Sequence, residues 1–365
     1  MDPKIGPKLQ KTLLSGYIGQ GTKVQEFETL LSEVFGWSNV LTLNSCTSAL
    51  QLALHLVKEQ DCEPVLLSPL SCFATVTAVL ANKLRPCWVD INPETLNMDL
   101  NQLEQKLSAD TRIIVLIHFA GRTFDYEHLE VILNTFQKKH HFRPYVIEDC
   151  AQSLGSVTNA GGIISPYTGN TGHISCFSFQ AVKTLTTGDG GAIVIPDVEL
   201  YERAKLLRWY GLDRTYSIKY QNIQEAGFKW HMNDINATIG IANLNFLDLN
   251  KLMLDQTTNY DMLLEAFDIP EPGIPCCGQF PLVVKDLHSF QKKMTKAGFE
   301  CFPAQFRCDK HSCVASYQTH LPNMDLVEKH ITLIPSGWWV GLDEIVEIIK
   351  LSHKSSKVDW KKQGF

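Results

Sequence analysis

The sequence predicts an α/β protein: a large domain on a mainly parallel sheet over residues 1–250, followed by a smaller C-terminal α+β domain over residues 251–365. Two observations carry this. Short apolar runs of strand length alternate with helical patterns through most of the chain, and buried strands joined by helices run parallel. The Pro/Gly-rich stretch "DIPEPGIPCCGQF" then breaks the alternation, and the remainder mixes strand and helix signals. At 365 residues the chain can bury one large core and one small one.

The elements follow in order. From residue 22, "TKVQEFETLLSEVFG" sets Val24, Phe27, Leu31 and Val34 at helical spacing, with Thr22 and Gln25 as a capping-box pair and Gly36 as terminator. Strand-like "VLTL" precedes helix-like "TSALQLALHLV", and "PVLLS" precedes "CFATVTAVLA". After "PCWVDI" come "RIIVLIHFA" with the helix "DYEHLEVILNTFQKKH", then the strands "PYVIED", "HISCFSF" and "GAIVIP". A long helical stretch, "MNDINATIGIANLNFLDLNKLMLDQTTNYDMLLEAF", leads to the break. Beyond it, "FPLVV" and "ITLIP" read as strands, and "LHSFQKKMTKAG" and "LDEIVEIIKLSHK" as helices. No repeat or low-complexity segment interrupts the chain.

Composition narrows the class. Hydrophobic content of 44% and charged content of 20% describe an ordinary globular protein. The balance of 33 basic against 39 acidic residues gives −6, with no basic run beyond "KK" and "KKHH", which argues against a nucleic-acid surface. The opening "MDPKIGPKLQKTLLSGYIGQG" has no apolar stretch of signal-peptide length, and no segment approaches ~18 uninterrupted apolar residues. A soluble cytoplasmic protein with no membrane partner is expected. The eleven cysteines are odd in number and dispersed, without a CxxC pair, so they read as small hydrophobes and no metal is expected.

Ligands of an open parallel sheet bind at the carboxyl ends of its strands, so residues just after each apolar run are the candidates. After "VLTL", Thr47 and Ser48 sit at a helix start, either an anion site or a plain cap. After "PVLLS", Phe73 is either core or a plate for a planar ring. After "PYVI", Asp149 either holds a protonated heterocyclic nitrogen or caps the next helix, with Gln152 on the same side of the turn. After "HISCFSF", Ser178 and Lys183 flank "FQAV" ahead of "TLTTGDGG". Lys183 is the only Lys or Arg between Arg143 and Arg203; it is either a desolvated amine nucleophile or a partner of Asp189.

Together the four junctions meet the needs of one cofactor. A phosphate-binding helix start, a stacking aromatic, a carboxylate for a pyridinium nitrogen and an amine for a Schiff base are what pyridoxal 5′-phosphate requires. A nicotinamide or flavin site has no use for the last two.

The stretches "GYIGQG", "NSCTSALQLAL", "CFATVTAV", "VIEDCAQSLGS", "FSFQAVKTLTTGDGG", "RWYGLDR" and "GFKWHMNDINATIG" resemble the DegT/DnrJ/EryC1/StrS family of nucleotide-sugar aminotransferases, from about Gly16 to Leu244 and more loosely beyond. The resemblance implies the fold-type I architecture of aspartate aminotransferase. It implies that Lys183 holds the cofactor covalently and moves a proton between two carbons. It places Asp149 on the pyridine nitrogen, Gln152 beside the ring hydroxyl, Phe73 on the ring, and Thr47, Ser48 and Ser178 on the phosphate. It also implies a homodimer in which "GFKWHMND" reaches the neighbour's phosphate, with Lys229 and His231 standing where many members have Asn or Arg. Tyr17, Arg214 and His311 lie in segments that either line the sugar or nucleotide pocket or serve the fold. A branch with histidine at the lysine position dehydrates sugars, and Lys183 argues against it. The expected reaction passes an amino group from an amino acid, glutamate first, to a 4-keto-6-deoxy nucleotide sugar for glycan assembly. The alternatives are a 3-keto substrate or a non-catalytic binding relative, and the latter has no need of Lys183, Asp149 and Gln152 together.

Overall fold

Alternation along the central strands decides the layering. In the strand Ile113–Ile117 all five residues are buried; Ile113, Val115 and Ile117 join one core while Ile114 and Leu116 join another. The computed structural model describes residues 1–159, 167–214, 216, 218–246 and 248–352. Seven strands form the main sheet: β1 (Val40–Leu43), β2 (Pro64–Leu67), β3 (Arg85–Trp88), β4 (Ile113–Ile117), β5 (Tyr145–Asp149), β6 (Ile174–Ser178) and β7 (Gly191–Val194). Their order is β1-β7-β6-β5-β4-β2-β3. Pairing is parallel from β3 through β6, while β7 runs antiparallel to both β6 and β1. The mostly parallel mixed sheet is the α/β fold that the alternation predicts.

Nine helices of this part are α1 (Ile5–Leu14), α2 (Thr22–Phe35), α3 (Cys46–Val57), α4 (Phe73–Ala81), α5 (Leu100–Lys106), α6 (Tyr126–His140), α7 (Val198–Leu207), α8 (Asp234–Phe246) and α9 (Leu249–Phe267), counted over the described residues. One face of the sheet packs with α3, α4 and α7. The other packs with α2 and α8 at one end and with α5 and α6 at the other. The helices α1, α5 and α7 are additional to the elements expected from the sequence. Polar contacts seat α1, Thr12 to Thr238 at 2.9 Å and the Asp2 amide to Asn243 at 2.9 Å.

A three-stranded antiparallel sheet follows, β8 (Gln279–Val283), β9 (Phe302–Pro303) and β10 (Ile331–Pro335), in the order β8-β10-β9. With α10 (Leu287–Lys296) and α12 (Leu342–Ser352) it closes a second core that includes Tyr260 and Leu263 of α9, whereas the short α11 (Pro322–Val327) packs elsewhere. Residues 353 and 354, the predicted end of the last helix, lie outside the described residues. The long α9 runs through positions 250 and 251. The segment from Cys308 to Val327 returns to the first core, where Cys308, Val314, Leu321, Met324 and Val327 are buried. Asp90 of the large part caps α11 by accepting from the amides of Asn323 at 2.9 Å and Met324 at 3.0 Å.

The start of α2 differs from the expected capping box. Gly21 is the N-cap and has no side chain to give; Asp234, at the head of α8, accepts from the amides of Gly21 at 2.7 Å, Lys23 at 3.3 Å and Val24 at 3.1 Å. A buried carboxylate that meets several orphan amides outcompetes a threonine hydroxyl for the same role. The helix ends at Gly36 with φ +69°, the left-handed turn glycine adopts without cost. All eleven cysteines are free. No described helix is long and apolar enough to cross a membrane.

Candidate active site

Close approach of α3 to β7 builds the floor of the site. Gly191 opens β7, and a Cβ there would lie 2.4 Å from the Cys46 amide nitrogen, so only glycine lets the helix start come down on the strand. Ser45 caps α3, accepting from the Ser48 amide at 3.1 Å, and the Ser48 hydroxyl donates to Asn44 at 2.7 Å. Ser48 is therefore buried and committed to shaping the turn. The first-turn amides and the half-buried Thr47 remain to meet an anion.

A cavity of about 330 Å³ joins this helix start to the ends of β4, β5 and β6. Thr47, Asp149, Gln152, Ser178 and Lys183 all border it. Asp149, the last residue of β5, accepts from Thr75 at 2.6 Å and from the Ala151 amide at 3.1 Å, so its carboxylate is oriented without an ion pair. Gln152 accepts from the Ala120 amide at 2.8 Å through Oε1, which leaves its NH₂ group as the free donor.

Lys183 sits on the turn after β6. Its amide donates to the Gln180 carbonyl at 2.9 Å, and the following loop is pinned by α8: Asn236 donates to the carbonyls of Thr187 at 2.8 Å and Asp189 at 3.0 Å, and Asn243 to that of Thr186 at 2.8 Å. Its ammonium has no hydrogen-bond or ion-pair partner among the described residues. The Asp189 carboxylate instead accepts from the Gly190 amide at 3.0 Å. The same lysine also borders a second cavity of about 820 Å³ between the two sheets, so its amine stands where the two spaces meet.

Phe73 is not brought to the smaller cavity. Its neighbours Cys72 and Ala74 border the space, while the Phe73 ring packs edge-on against His311 at 4.5 Å. Cys72 is the N-cap of α4 and Phe73 its first helical residue, and one step around a helix start turns a side chain by ~100°. His311, held between Phe73 and Phe306, borders neither cavity. Tyr17, 82% exposed, and Arg214, whose guanidinium lies 4.3 Å from the centre of the Trp209 ring, are likewise outside both. The strand-end logic does reach one residue it was not applied to: His118, directly after β4, borders the smaller cavity.

Behind that cavity lies a buried polar network. Glu148 accepts from Tyr126, from Thr171 at 2.8 Å and from Ser175 at 2.7 Å, with His118 3.8 Å away. Burial pushes its carboxyl up, but the nearby His118 imidazole, the charge of His173 and the Tyr126 hydroxyl overcome this and hold it at about 2. Cys150 completes a group with the spacing of metal ligands, yet burial drives its thiol well up, and the carboxylate oxygens are already occupied. The arrangement is a satisfied hydrogen-bond network.

Lys229 and His231 stand apart from both cavities within this chain. The His231 ring stacks on Trp209 at 3.9 Å and 6°, while Lys229 is exposed. Burial, reinforced by the charges of Lys229, Arg208 and Arg214, holds the imidazole down at about 4 against an ordinary 6.5. The unfolded chain therefore binds an extra proton between those values. The contribution of neutral His231 to stability is complete above pH 6.5 and is lost as pH falls towards 4. Urea midpoints at pH 7.5 and pH 5 should fall less in His231→Gln than in the parent; equal declines would remove His231 as the cause.

The DegT/DnrJ/EryC1/StrS aminotransferase family matches residues 1–272. Among curated proteins, the spore coat polysaccharide biosynthesis protein SpsC of Bacillus subtilis is 32% identical over 67% of this chain and 63% of its own length. GDP-perosamine synthase of Escherichia coli O157:H7 is 32% identical over 63% of this chain and 59% of its own. The chain thus spans about three-fifths of the length of the curated relatives it matches. Solved structures match more fully. The sugar aminotransferase CalS13 from Micromonospora echinospora superposes with a TM-score of 0.89 at 31% identity, covering 100% of this chain and 98% of that one. AtS13 from Actinomadura melliaura gives 0.89 at 36% identity, covering 96% and 95%.

Proposed function

Because the chain belongs to the DegT/DnrJ/EryC1/StrS aminotransferase family, we propose that it is a pyridoxal-phosphate-dependent sugar aminotransferase. The reading is that it moves an amino group from L-glutamate to a 4-keto-6-deoxy nucleotide sugar, giving a 4-amino-4,6-dideoxy sugar nucleotide for glycan assembly. One observation carries it: Lys183, an amine without an ion-pair partner, stands between a cavity holding Asp149 and Gln152 and a larger open one. Support for the substrate class comes from relatives, one of them a GDP-perosamine synthase and another a UDP-4-amino-4,6-dideoxy-N-acetyl-beta-L-altrosamine transaminase.

The donor set fits the cofactor. The smaller cavity offers a helix start with Thr47 and Ser178 for a phosphate, a buried carboxylate for a ring nitrogen, an amide donor for a ring hydroxyl and an amine for the aldehyde. The chemistry supplied by bound pyridoxal 5′-phosphate is an electron sink next to the transferred nitrogen. Asp149, oriented by Thr75 and the Ala151 amide, would meet the ring nitrogen and favour its protonated form. Gln152, fixed through the Ala120 amide, would orient the ring. Lys183 would take the proton from one carbon and return it to another, with no ion pair to break first.

The proposal extends to a homodimer in which the segment around Lys229 reaches the partner's phosphate. Within this chain His231 is engaged with Trp209 and Lys229 is exposed, so Lys229 is the donor we assign. The test is optical. The purified protein, loaded with pyridoxal phosphate, should show the visible absorbance of the bound aldehyde form, lose it on addition of L-glutamate, and regain it when a 4-keto-6-deoxy nucleotide sugar is supplied. A protein that stays colourless after loading overturns the proposal.

A further inference from the structure

The larger cavity has a wall that the chemistry at Lys183 does not use. Besides the lysine it is lined by Trp338 and Trp339 and by Phe299 and Phe302. These adjacent indoles are 45% and 58% exposed, at 86° to each other with centres 5.9 Å apart.

The turn that carries them is held rigidly. The Ser336 amide donates to the Gly278 carbonyl at 3.0 Å, and its hydroxyl to that of Cys277 at 3.0 Å. The Val340 amide donates to the Gly337 carbonyl at 2.9 Å. From α9, buried Asn259 donates to the carbonyls of both Gly337 at 3.1 Å and Val340 at 3.0 Å. The Trp339 ring lies directly on backbone, since a Cβ would come within 2.2 Å of it at Gly337 and 2.6 Å at Gly278. One part of the indole is seated on two glycines while more than half of the residue stays open. A large aromatic fixed this firmly has lost its rotamer entropy in advance, which favours a ligand ring stacking on it.

Charge identifies which part of a ligand suits the wall. Lys183 is the one cationic side chain among the described residues of the lining, and Glu300 and Glu344 share that lining with the tryptophans, so a diphosphate finds little to bind at this end. A planar, uncharged heterocycle finds an aromatic face. Resting on the reading of the site as a nucleotide-sugar aminotransferase, we propose that Trp339, with Trp338 at its edge, stacks on the base of the nucleotide substrate. The sugar carbonyl then points along the same cavity towards Lys183. The volume of about 820 Å³ leaves room for a molecule that spans the two ends.

The test is binding, measured on the pyridoxal-phosphate-loaded protein. UDP, dTDP and GDP are titrated separately by calorimetry and by tryptophan fluorescence, with inorganic pyrophosphate as the control that lacks a base. At least one nucleoside diphosphate should bind and quench fluorescence. Trp339→Ala should weaken that binding roughly tenfold or more, Trp339→Phe should restore most of it, and pyrophosphate affinity should be the same in parent and Trp339→Ala. Circular dichroism confirms that each variant is folded. Equal nucleotide affinity in the parent, Trp338→Ala and Trp339→Ala overturns the stacking site, as does a parent that binds no nucleoside diphosphate. Conversion of the parent's cofactor by glutamate is followed in parallel. If conversion proceeds while the tryptophan variants bind normally, the stacking site fails and the transaminase stands; if conversion is absent while Trp339→Ala loses nucleotide, the reverse holds.

Discussion

Lys183→Ala is expected to abolish amino transfer, by about 10³-fold or more, because in the proposed reaction the same amine is both nucleophile and proton carrier. The loss should be chemical. Thr47, Asp149, Gln152 and Ser178 remain around the cavity, so pyridoxal phosphate should still bind, more weakly and without a covalent link. Borohydride reduction followed by mass spectrometry separates the two: the parent should retain the cofactor mass, and the variant should not. Small primary amines should restore part of the activity, since the cavity of about 820 Å³ on the other side of the lysine leaves space for them. A variant with full transaminase activity would falsify the assignment of Lys183 as the reacting amine.

Arg307→Leu is expected to be the most destabilising single change away from the site, at about 3–5 kcal/mol. Arg307 is 1% exposed and donates in fork geometry to both oxygens of Asp309, at 2.7 and 2.8 Å, and through Nη1 to Asp325 at 2.5 Å and Glu328 at 3.2 Å. Removing the guanidinium strands Asp309, itself fully buried, without a counter-charge. Urea unfolding should show the loss, and the double variant Arg307→Leu/Asp309→Leu should recover much of it. Equal stability of the single and double variants would mean that the cost is packing alone. The effect should reach the smaller cavity as well. Next to Arg307, the Cys308 amide donates to the Pro69 carbonyl at 2.8 Å, one turn ahead of Cys72 on the cavity rim.

The strands were legible because a fully buried strand has to be apolar on both faces, as "IIVLI" is. That Asp149 and Lys183 would border one space was legible because a charged residue at the end of such a run needs a partner or an opening, and the strand ends open into a cavity that both line. The Thr22 capping box misled because the true cap, Asp234, lies 213 residues from Gly21, and no local pattern reports a contact of that separation. Phe73 misled by one position: residue type favoured the aromatic, whereas the direction of the helix start favours Cys72. The segment from Cys308 to Val327 has the modest apolar content of a surface stretch and still enters the first core. Trp338 and Trp339 follow no period at all, since they sit on a turn whose shape comes from its own Gly337 and from Asn259 and Gly278 elsewhere in the chain.

The anchoring of the lysine loop by α8 has a consequence for biosynthesis. During translation the turn with Lys183 emerges well before Asn236 and Asn243, which hold the carbonyls of residues 186, 187 and 189. Before residue 236 is made the carbonyls of residues 187 and 189 lack their α8 partner, before residue 243 that of residue 186 lacks its own, and the first helix lacks the Thr238 and Asn243 side chains that seat it. A nascent chain released at that stage would contain every strand of the main sheet and yet have no ordered place for its reactive amine. An ordered position for Lys183 is therefore expected only after residue 243 has been made, when every strand of the main sheet is already present.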